Sequence, residues 1–163
     1  MIAARIVIAG ALLATGWAVY AKPAPAPKPT APSAQDLVQA RQAGMVMAAT
    51  TMNLLRGASN NGTPLKNLAF SAGGLAKWAA AAPALFADST RGVPSRALPA
   101  VWTDKAGFAA KSKAFADSTR ALADAAKAED KAAFDAALAS TAASCKGCHD
   151  SYQAPPGPAP KAG

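Results

Sequence analysis

The chain has 163 residues and a net charge of +8, and it is 52% hydrophobic but only 6% aromatic. Alanine supplies 47 of the residues, so a core must either pack small side chains closely or enclose another group. The length indicates one domain. Two cysteines are too few for a disulfide-rich scaffold, and a single histidine excludes a metal centre with several histidine ligands.

The N-terminus has the pattern of an export signal. Arg5 precedes an apolar run from Ile6 to Tyr20, and Val19 and Ala21 are small residues at the two positions that signal peptidase inspects. We predict a signal peptide over residues 1–21 and a periplasmic mature protein with no stable membrane association. The alternative is a retained anchor, but the run is shorter than the ~20 residues that span a bilayer.

Two proline-rich segments flank the middle of the chain. Residues 22–33 predict an extended linker, and residues 154–163 predict a disordered tail. The folded domain is therefore expected over residues 34–153.

The middle of the chain has apolar residues at helical spacing and shows no strand alternation. The four expected helices are Gln35–Arg56, Pro64–Ala82, a third from about Asp104 to the turn at Lys127–Glu129, and Asp130–Gln153. Ser33 or Asp36 is expected to start the first helix, and Gly57 is expected to end it. The fold class is all-α, an antiparallel four-helix bundle. Gly73-Gly74 suggests that a backbone or a flat group approaches the second helix closely.

The strongest motif is Cys145-Lys146-Gly147-Cys148-His149, the C-x-x-C-H attachment signature of c-type haem. Two thiols at this spacing can form thioethers with the haem vinyl groups, and the adjacent imidazole can bind the iron. On a helix, positions i, i+3 and i+4 share one face. We predict one covalent haem c near the C-terminal end of the last helix, with His149 as the proximal iron ligand.

Three other interpretations of the motif are weaker. A zinc site needs about four ligands and only three cysteine or histidine candidates exist. A thioredoxin-type redox pair is expected beside a βαβ unit, which the pattern lacks. A plain Cys145–Cys148 disulfide or a chance pentapeptide is the remaining alternative.

The sequence resembles the class II cytochromes c, the cytochrome c′ family. The matching stretches are Ala40–Met45, Leu85–Gly92, Val101–Asp104 with Phe108, and Ser144–Tyr152. The resemblance covers about residues 35–153, and its specific feature is the haem motif at the end of the last helix.

The resemblance places Met45 on the distal side of the haem. In low-spin members of the family a methionine there binds the iron, which makes the protein an electron carrier. In five-coordinate members the distal residue only blocks that face, and the iron binds NO or CO. We favour a periplasmic electron-transfer cytochrome with Met45 as distal ligand. The alternative is a five-coordinate cytochrome c′ with Met45 as core packing.

The resemblance also assigns residues near the haem edge. Arg41 lies on the apolar stripe of the first helix, where a buried guanidinium needs an anionic partner, and the family implies a haem propionate. The alternative is an arginine at the bundle rim with a solvated head. Gln42 is a second candidate for the propionates. Gln153 departs from the pattern, since many relatives carry arginine four residues after the proximal histidine.

The basic charge suggests an acidic redox partner, with Lys146 beside the haem edge as a steering residue. No basic run interleaves with aromatic residues, so nucleic acid is not expected. The chain offers no distal histidine or acid–base pair, so we do not expect an enzyme such as an NO reductase or a peroxidase. The resemblance implies a possible homodimer through the first two helices, with Trp78 at the bundle surface or in the dimer seam.

Overall fold

The computed structural model describes residues 31–156, so the predicted signal peptide, most of the linker and most of the tail lie outside the described residues. The α-helices are α1 (Ala34–Asn60), α2 (Ala69–Ala81), α3 (Ala100–Thr103), α4 (Lys105–Ala128) and α5 (Lys131–Tyr152). Short 3-10 turns cover Leu65–Leu68, Ala82–Phe86 and Asp88–Thr90. Between residues 31 and 156 there is no strand, only an isolated bridge between Ala97 and Gln153.

The predicted start of α1 is confirmed. Ser33 Oγ accepts a hydrogen bond from the Asp36 backbone N–H at 3.2 Å, and Asp36 Oδ2 accepts from the Ser33 N–H at 2.9 Å. This reciprocal pair is a capping box, which satisfies amide donors that the first turn of a helix leaves open.

The predicted end of α1 at Gly57 is wrong, because the helix continues to Asn60. The reason is a tertiary contact in the last turn: Ser59 is buried and its hydroxyl donates to Asp135 Oδ1 on α5 at 3.3 Å. Glycine lowers helix propensity by about 1 kcal/mol, and packing overrides that preference here.

The second predicted helix is two elements. A 3-10 turn over Leu65–Leu68 leads into α2, so Pro64 precedes the turn and does not open an α-helix. Leu65 and Leu68 are both buried, and their side chains join the core at this turn.

The close approach expected at Gly73-Gly74 lies elsewhere. A side chain at either glycine would meet nothing within 4 Å. At Gly44 on α1, by contrast, a Cβ would overlap the indole ring of Trp78. Trp78 is half-buried against the main core, so it closes the α1–α2 contact within the bundle.

Both remaining helix starts are confirmed. Asp104 Oδ1 accepts from the Gly107 N–H at the start of α4, and Asp130 Oδ1 accepts from the Ala133 N–H at the start of α5. Between these helices Glu129 adopts a left-handed conformation with φ of 55°, which forms the tight turn.

The buried apolar residues form two clusters. The larger one joins all four long helices, and it includes Leu55, Leu75, Leu122 and Phe134. The smaller one consists of Val101, Trp102 and Tyr152, with Phe86, Phe108 and Cys148 packed against it. Among residues 31–156, no helix has the length and apolar character needed to cross a bilayer.

Candidate cofactor site

Two adjoining cavities, of about 260 and 290 Å³, lie where the C-terminal half of α5 faces α1 and α4. Both cavities are lined by Met45, Phe86, Phe108, Cys148 and His149. Volumes of this order are typical of cofactor and ligand sites. The cavities also account for the scarcity of large side chains, because the helices leave this space unfilled by protein.

The three residues of the attachment motif meet in this space, as predicted from their spacing. Cys145 lines the first cavity, and Cys148 and His149 line both. The two thiols are free, so the disulfide alternative is not found. Burial raises the pKa of both thiols. Burial, together with the charge of Arg96, lowers the pKa of His149, which favours the neutral imidazole that binds metals.

The opposite wall comes from α1. Met45 is half-buried and is the α1 residue that lines both cavities, and Ala48, Ala49 and Met52 line the first one. Met47 is 70% exposed and points away, as its helical position predicts. The wall that faces His149 is therefore apolar around Met45.

The four lysine and arginine side chains that line the cavities give them a cationic lining. Arg41 and Arg96 line the second cavity, and Arg56 and Lys111 line the first. Of the residues that the structure describes, no aspartate or glutamate lines either cavity. The site therefore fits a largely apolar group that carries carboxylates. Among residues 31–156, no three histidine, cysteine, aspartate or glutamate side chains are grouped to hold a bare metal ion.

Arg41 is 3% exposed, so the solvated-rim alternative is wrong. Its guanidinium donates to Leu85 O at 3.2 Å, to Thr90 Oγ1 at 3.0 Å and to Ser95 Oγ at 2.9 Å. The guanidinium carbon also lies 4.6 Å from the centre of the Phe86 ring. Burial lowers the pKa of Arg41.

Arg41 has no anionic partner among the described protein residues. Within residues 31–156 no carboxylate lies within ion-pair distance of Arg41, and its acceptors are neutral oxygens. The guanidinium still lines the second cavity beside the exposed Gln42. The propionate role of Arg41 and Gln42 stays a prediction.

Sequence reasoning missed the segment 95–98, which closes the second cavity. Arg96 donates from Nε and Nη2 to Ala154 O at 2.9 and 2.6 Å, and the Ala154 N–H donates back to Arg96 O at 2.8 Å. The Leu98 N–H donates to Tyr152 O at 2.9 Å. Arg96 thus lines the second cavity together with Gln153, the position at which the sequence resemblance leads us to expect an arginine. Nothing in the sequence signals this pairing, because it joins a loop to a helix end more than 50 residues later.

The family model described as Cytochrome C′ matches residues 36–153. The chain belongs to the cytochrome c′ family. Proteins of this family carry one covalently attached haem c, so the cofactor predicted from the motif is confirmed. The thiols and the imidazole that line the cavity fit this group.

Curated relatives include the cytochrome c′ of Rubrivivax gelatinosus, 43% identical over 63 residues, which are 39% of this chain and 49% of that protein. The cytochrome c′ of Alcaligenes xylosoxydans xylosoxydans is 41% identical over 70 residues, which are 43% of this chain and 54% of that protein. The chain thus spans about half the length of the curated cytochromes c′ that it matches.

Solved cytochrome c′ structures resemble the whole bundle. The crystal structure of the Rubrivivax gelatinosus protein matches with a TM-score of 0.70 and 28% identity. The match covers 77% of this chain and 100% of the Rubrivivax chain. A ferrous variant from Alcaligenes xylosoxidans with bound NO has a TM-score of 0.69 and 29% identity, and covers 76% and 98%. The predicted four-helix bundle is confirmed. Because cytochrome c′ is typically five-coordinate, the comparisons give no support to the Met-ligated branch.

Proposed function

We propose that this cytochrome c′ is a periplasmic, five-coordinate haem protein that binds NO or CO at its iron. The observation that carries the proposal is the cavity lined by both His149 and Met45, in a chain whose structural neighbours include a cytochrome c′ with bound NO. This replaces the electron-carrier interpretation that the sequence favoured.

In this proposal α5 holds the cofactor. Cys145 and Cys148 form the two thioethers, and His149 is the proximal ligand, since all three line one cavity on one helix. When bound, the haem would supply an iron that cycles between Fe(III) and Fe(II) and binds a diatomic gas. Cys145, Cys148 and His149 would hold the haem against α5, in the cavity that Met45 also lines.

Met45 limits access on the other side. It is half-buried between the two cavities, and the α1 residues next to it in the first cavity are apolar. A small neutral gas needs no hydrogen-bond donor to enter such a space, whereas an anion or a large ligand loses its solvation there. We infer that Met45 occludes the distal face and selects for small neutral ligands.

The second candidate function is the electron carrier with Met45 bound to the iron. One observation favours it: of the α1 residues described, Met45 alone lines both cavities with His149. A thioether ligand at this place would raise the reduction potential of the haem.

The optical and EPR spectra of the ferric holoprotein test the two functions. A high-spin ferric haem that binds CO and NO after reduction is expected from the proposal. A low-spin spectrum that Met45→Ala converts to high spin would establish the second candidate instead. Met47→Ala is the matched control, since Met47 is exposed on the same helix and should leave the spectrum unchanged.

We also propose that the protein is exported to the periplasm and that it does not convert a substrate. The N-terminal pattern supports cleavage after Ala21. The intact mass of the holoprotein from the periplasmic fraction tests this: loss of residues 1–21 together with the mass of one haem is expected. A membrane-bound product that keeps residues 1–21 would show a retained anchor.

A further inference from the structure

The first cavity opens to solvent beside two cationic side chains, Arg56 on α1 and Lys111 on α4, which we call the basic edge. Both residues are exposed. We propose that the basic edge is the docking surface for an acidic redox protein, which reduces the ferric haem iron of this cytochrome c′. The inference rests on the haem c that the family carries and is independent of the sixth iron ligand.

Lys111 lies directly over the attachment motif. A Cβ built on Gly147, between the two cysteines, would lie 3.4 Å from Lys111 Nζ. The ammonium group therefore lies next to the attachment motif on α5, and a partner that binds it is brought to the cofactor cavity.

The charges of the basic edge are not neutralised by the protein. None of the ion pairs found in residues 31–156 involves Arg56 or Lys111, and Arg56 has only a 3.4 Å hydrogen bond to Asn53 Oδ1. Two exposed positive charges beside a cavity without carboxylates attract an acidic surface and orient it during encounter.

Lys146, the steering residue expected from the sequence, differs from the basic edge because it has an ion-pair partner. Lys146 Nζ lies 2.6 Å from Asp150 Oδ2, so its charge is compensated on its own helix. Lys113 and Lys105 are likewise paired with Asp117 and Asp88. Lys66, Lys77 and Arg120 are in none of these pairs, but they do not line either cavity. Arg41 and Arg96 line the second cavity and are also in none of these pairs, but their guanidinium groups donate to neutral protein oxygens.

The reaction at this surface is a one-electron transfer. The reduced partner loses one electron, the haem iron goes from Fe(III) to Fe(II), and no bond is made or broken. A reduced haem then offers the ferrous iron that the proposed gas binding uses. The surface thus links an electron donor to the binding function of the same haem.

The test uses ferric holoprotein and a reduced acidic [2Fe–2S] ferredoxin as a probe, with the methyl viologen radical cation as a reductant of opposite charge. We expect Lys111→Glu to slow reduction by the ferredoxin by roughly tenfold at low ionic strength and to accelerate reduction by the viologen. Lys77→Glu is the matched control, because it changes the net charge equally but lies away from the cavity, and Arg56→Glu is the second test of the basic edge.

A second readout does not depend on electron transfer. Carbodiimide joins the Lys111 amine to a ferredoxin carboxylate as an amide, and the carbodiimide takes up the lost water as a urea. We expect this cross-link at Lys111 in peptide maps of the wild-type complex. Equal slowing by Lys77→Glu and Lys111→Glu, rates that do not depend on salt, or cross-links that fall at Lys66 or Lys77 instead would each overturn the proposal.

The outcome is separable from that of the proposed function. A low-spin haem with Met45 bound would remove the gas-binding function and leave the docking test unchanged. A high-spin haem whose reduction by ferredoxin is unchanged by Lys111→Glu and Arg56→Glu would overturn the docking surface and leave the gas-binding function standing.

Discussion

The phenol of Tyr152 donates a 2.7 Å hydrogen bond to Asp104 Oδ2, which joins the end of α5 to the start of α4. The same carboxylate caps α4 through the Gly107 N–H at 3.0 Å. The bond raises the pKa of Tyr152 to about 12 and lowers the pKa of Asp104. Tyr152 lies three residues after His149, so this bond fixes the helix end that follows the proximal ligand.

We expect the Tyr152–Asp104 bond to make stability depend on alkaline pH. Because the folded pKa of Tyr152 lies above its ordinary value of 10.0, its contribution is complete below pH 10 and is lost as the pH rises towards 12. Urea unfolding at about pH 9 and about pH 11.5 should show a smaller loss of stability in Tyr152→Phe than in the wild type. Parallel pH profiles for the two proteins would contradict the assignment.

The contact of Gly44 with Trp78 predicts that even a methyl group is harmful at this place. Gly44→Ala would push against the indole ring, and overpacking of this kind costs about 1–3 kcal/mol. Gly57→Ala on the same helix is the matched control, since a Cβ there meets nothing within 4 Å and should stabilise by about 1 kcal/mol. The free energy of unfolding in urea measures both changes. Stabilisation by Gly44→Ala would show that the ring moves aside without cost.

The sequence predicts the helices well where local signals and packing agree. The capping residues Ser33, Asp104 and Asp130 start their helices as expected, because each supplies the oxygen that the first amides need. Gly57 fails as a stop signal because Ser59 is held by a distant residue, Asp135. Helix propensity depends on the local sequence and cannot predict that contact.

The residues of the cofactor site likewise fall into those that the sequence predicts and those that it does not. Cys145, Cys148 and His149 converge because their spacing matches one turn of helix. Arg41 lies on the inner face as predicted, but its acceptors at Leu85, Thr90 and Ser95 come from the α2–α3 connection, two of them from short 3-10 turns. The path of a loop follows from tertiary packing, so neither these acceptors nor the position of Arg96 has a periodic signal in the sequence.

Arg41 is expected to hold the α2–α3 connection against α1. Arg41→Ala removes a buried charge with three hydrogen bonds and should lower the unfolding free energy by several kcal/mol, since a single hydrogen bond to a charged group contributes about 1.5–3 kcal/mol. Arg41→Lys keeps the charge but not the planar fork, so it should recover only part of the loss. Urea unfolding of the two variants tests this, and full recovery by lysine would show that charge alone matters.

The homodimer implied by the resemblance has a candidate surface on α1 and the start of α2. Val46 and Met47 are 68% and 70% exposed, and Phe70 is 92% exposed, which is unusual for large apolar side chains. If they form the dimer seam, the wild type sediments as a dimer and Phe70→Asp as a monomer. Lys77→Glu on α2 changes charge without altering the apolar surface and should leave the mass unchanged. A monomeric wild type would refute the dimer.

Cofactor attachment gives the most direct test of the site. With both thiols on the cavity wall, Cys145→Ser and Cys148→Ser should each leave one thioether, and the double variant should lose all covalent haem. Intact mass after acid extraction measures this, since only covalent haem stays with the chain.

The double variant should also lose stability, because a cofactor that binds only the folded state stabilises it by mass action. Ser144→Ala, next to the motif on α5, is the control and should retain the full haem mass. Covalent haem in the double variant would show that other residues attach it.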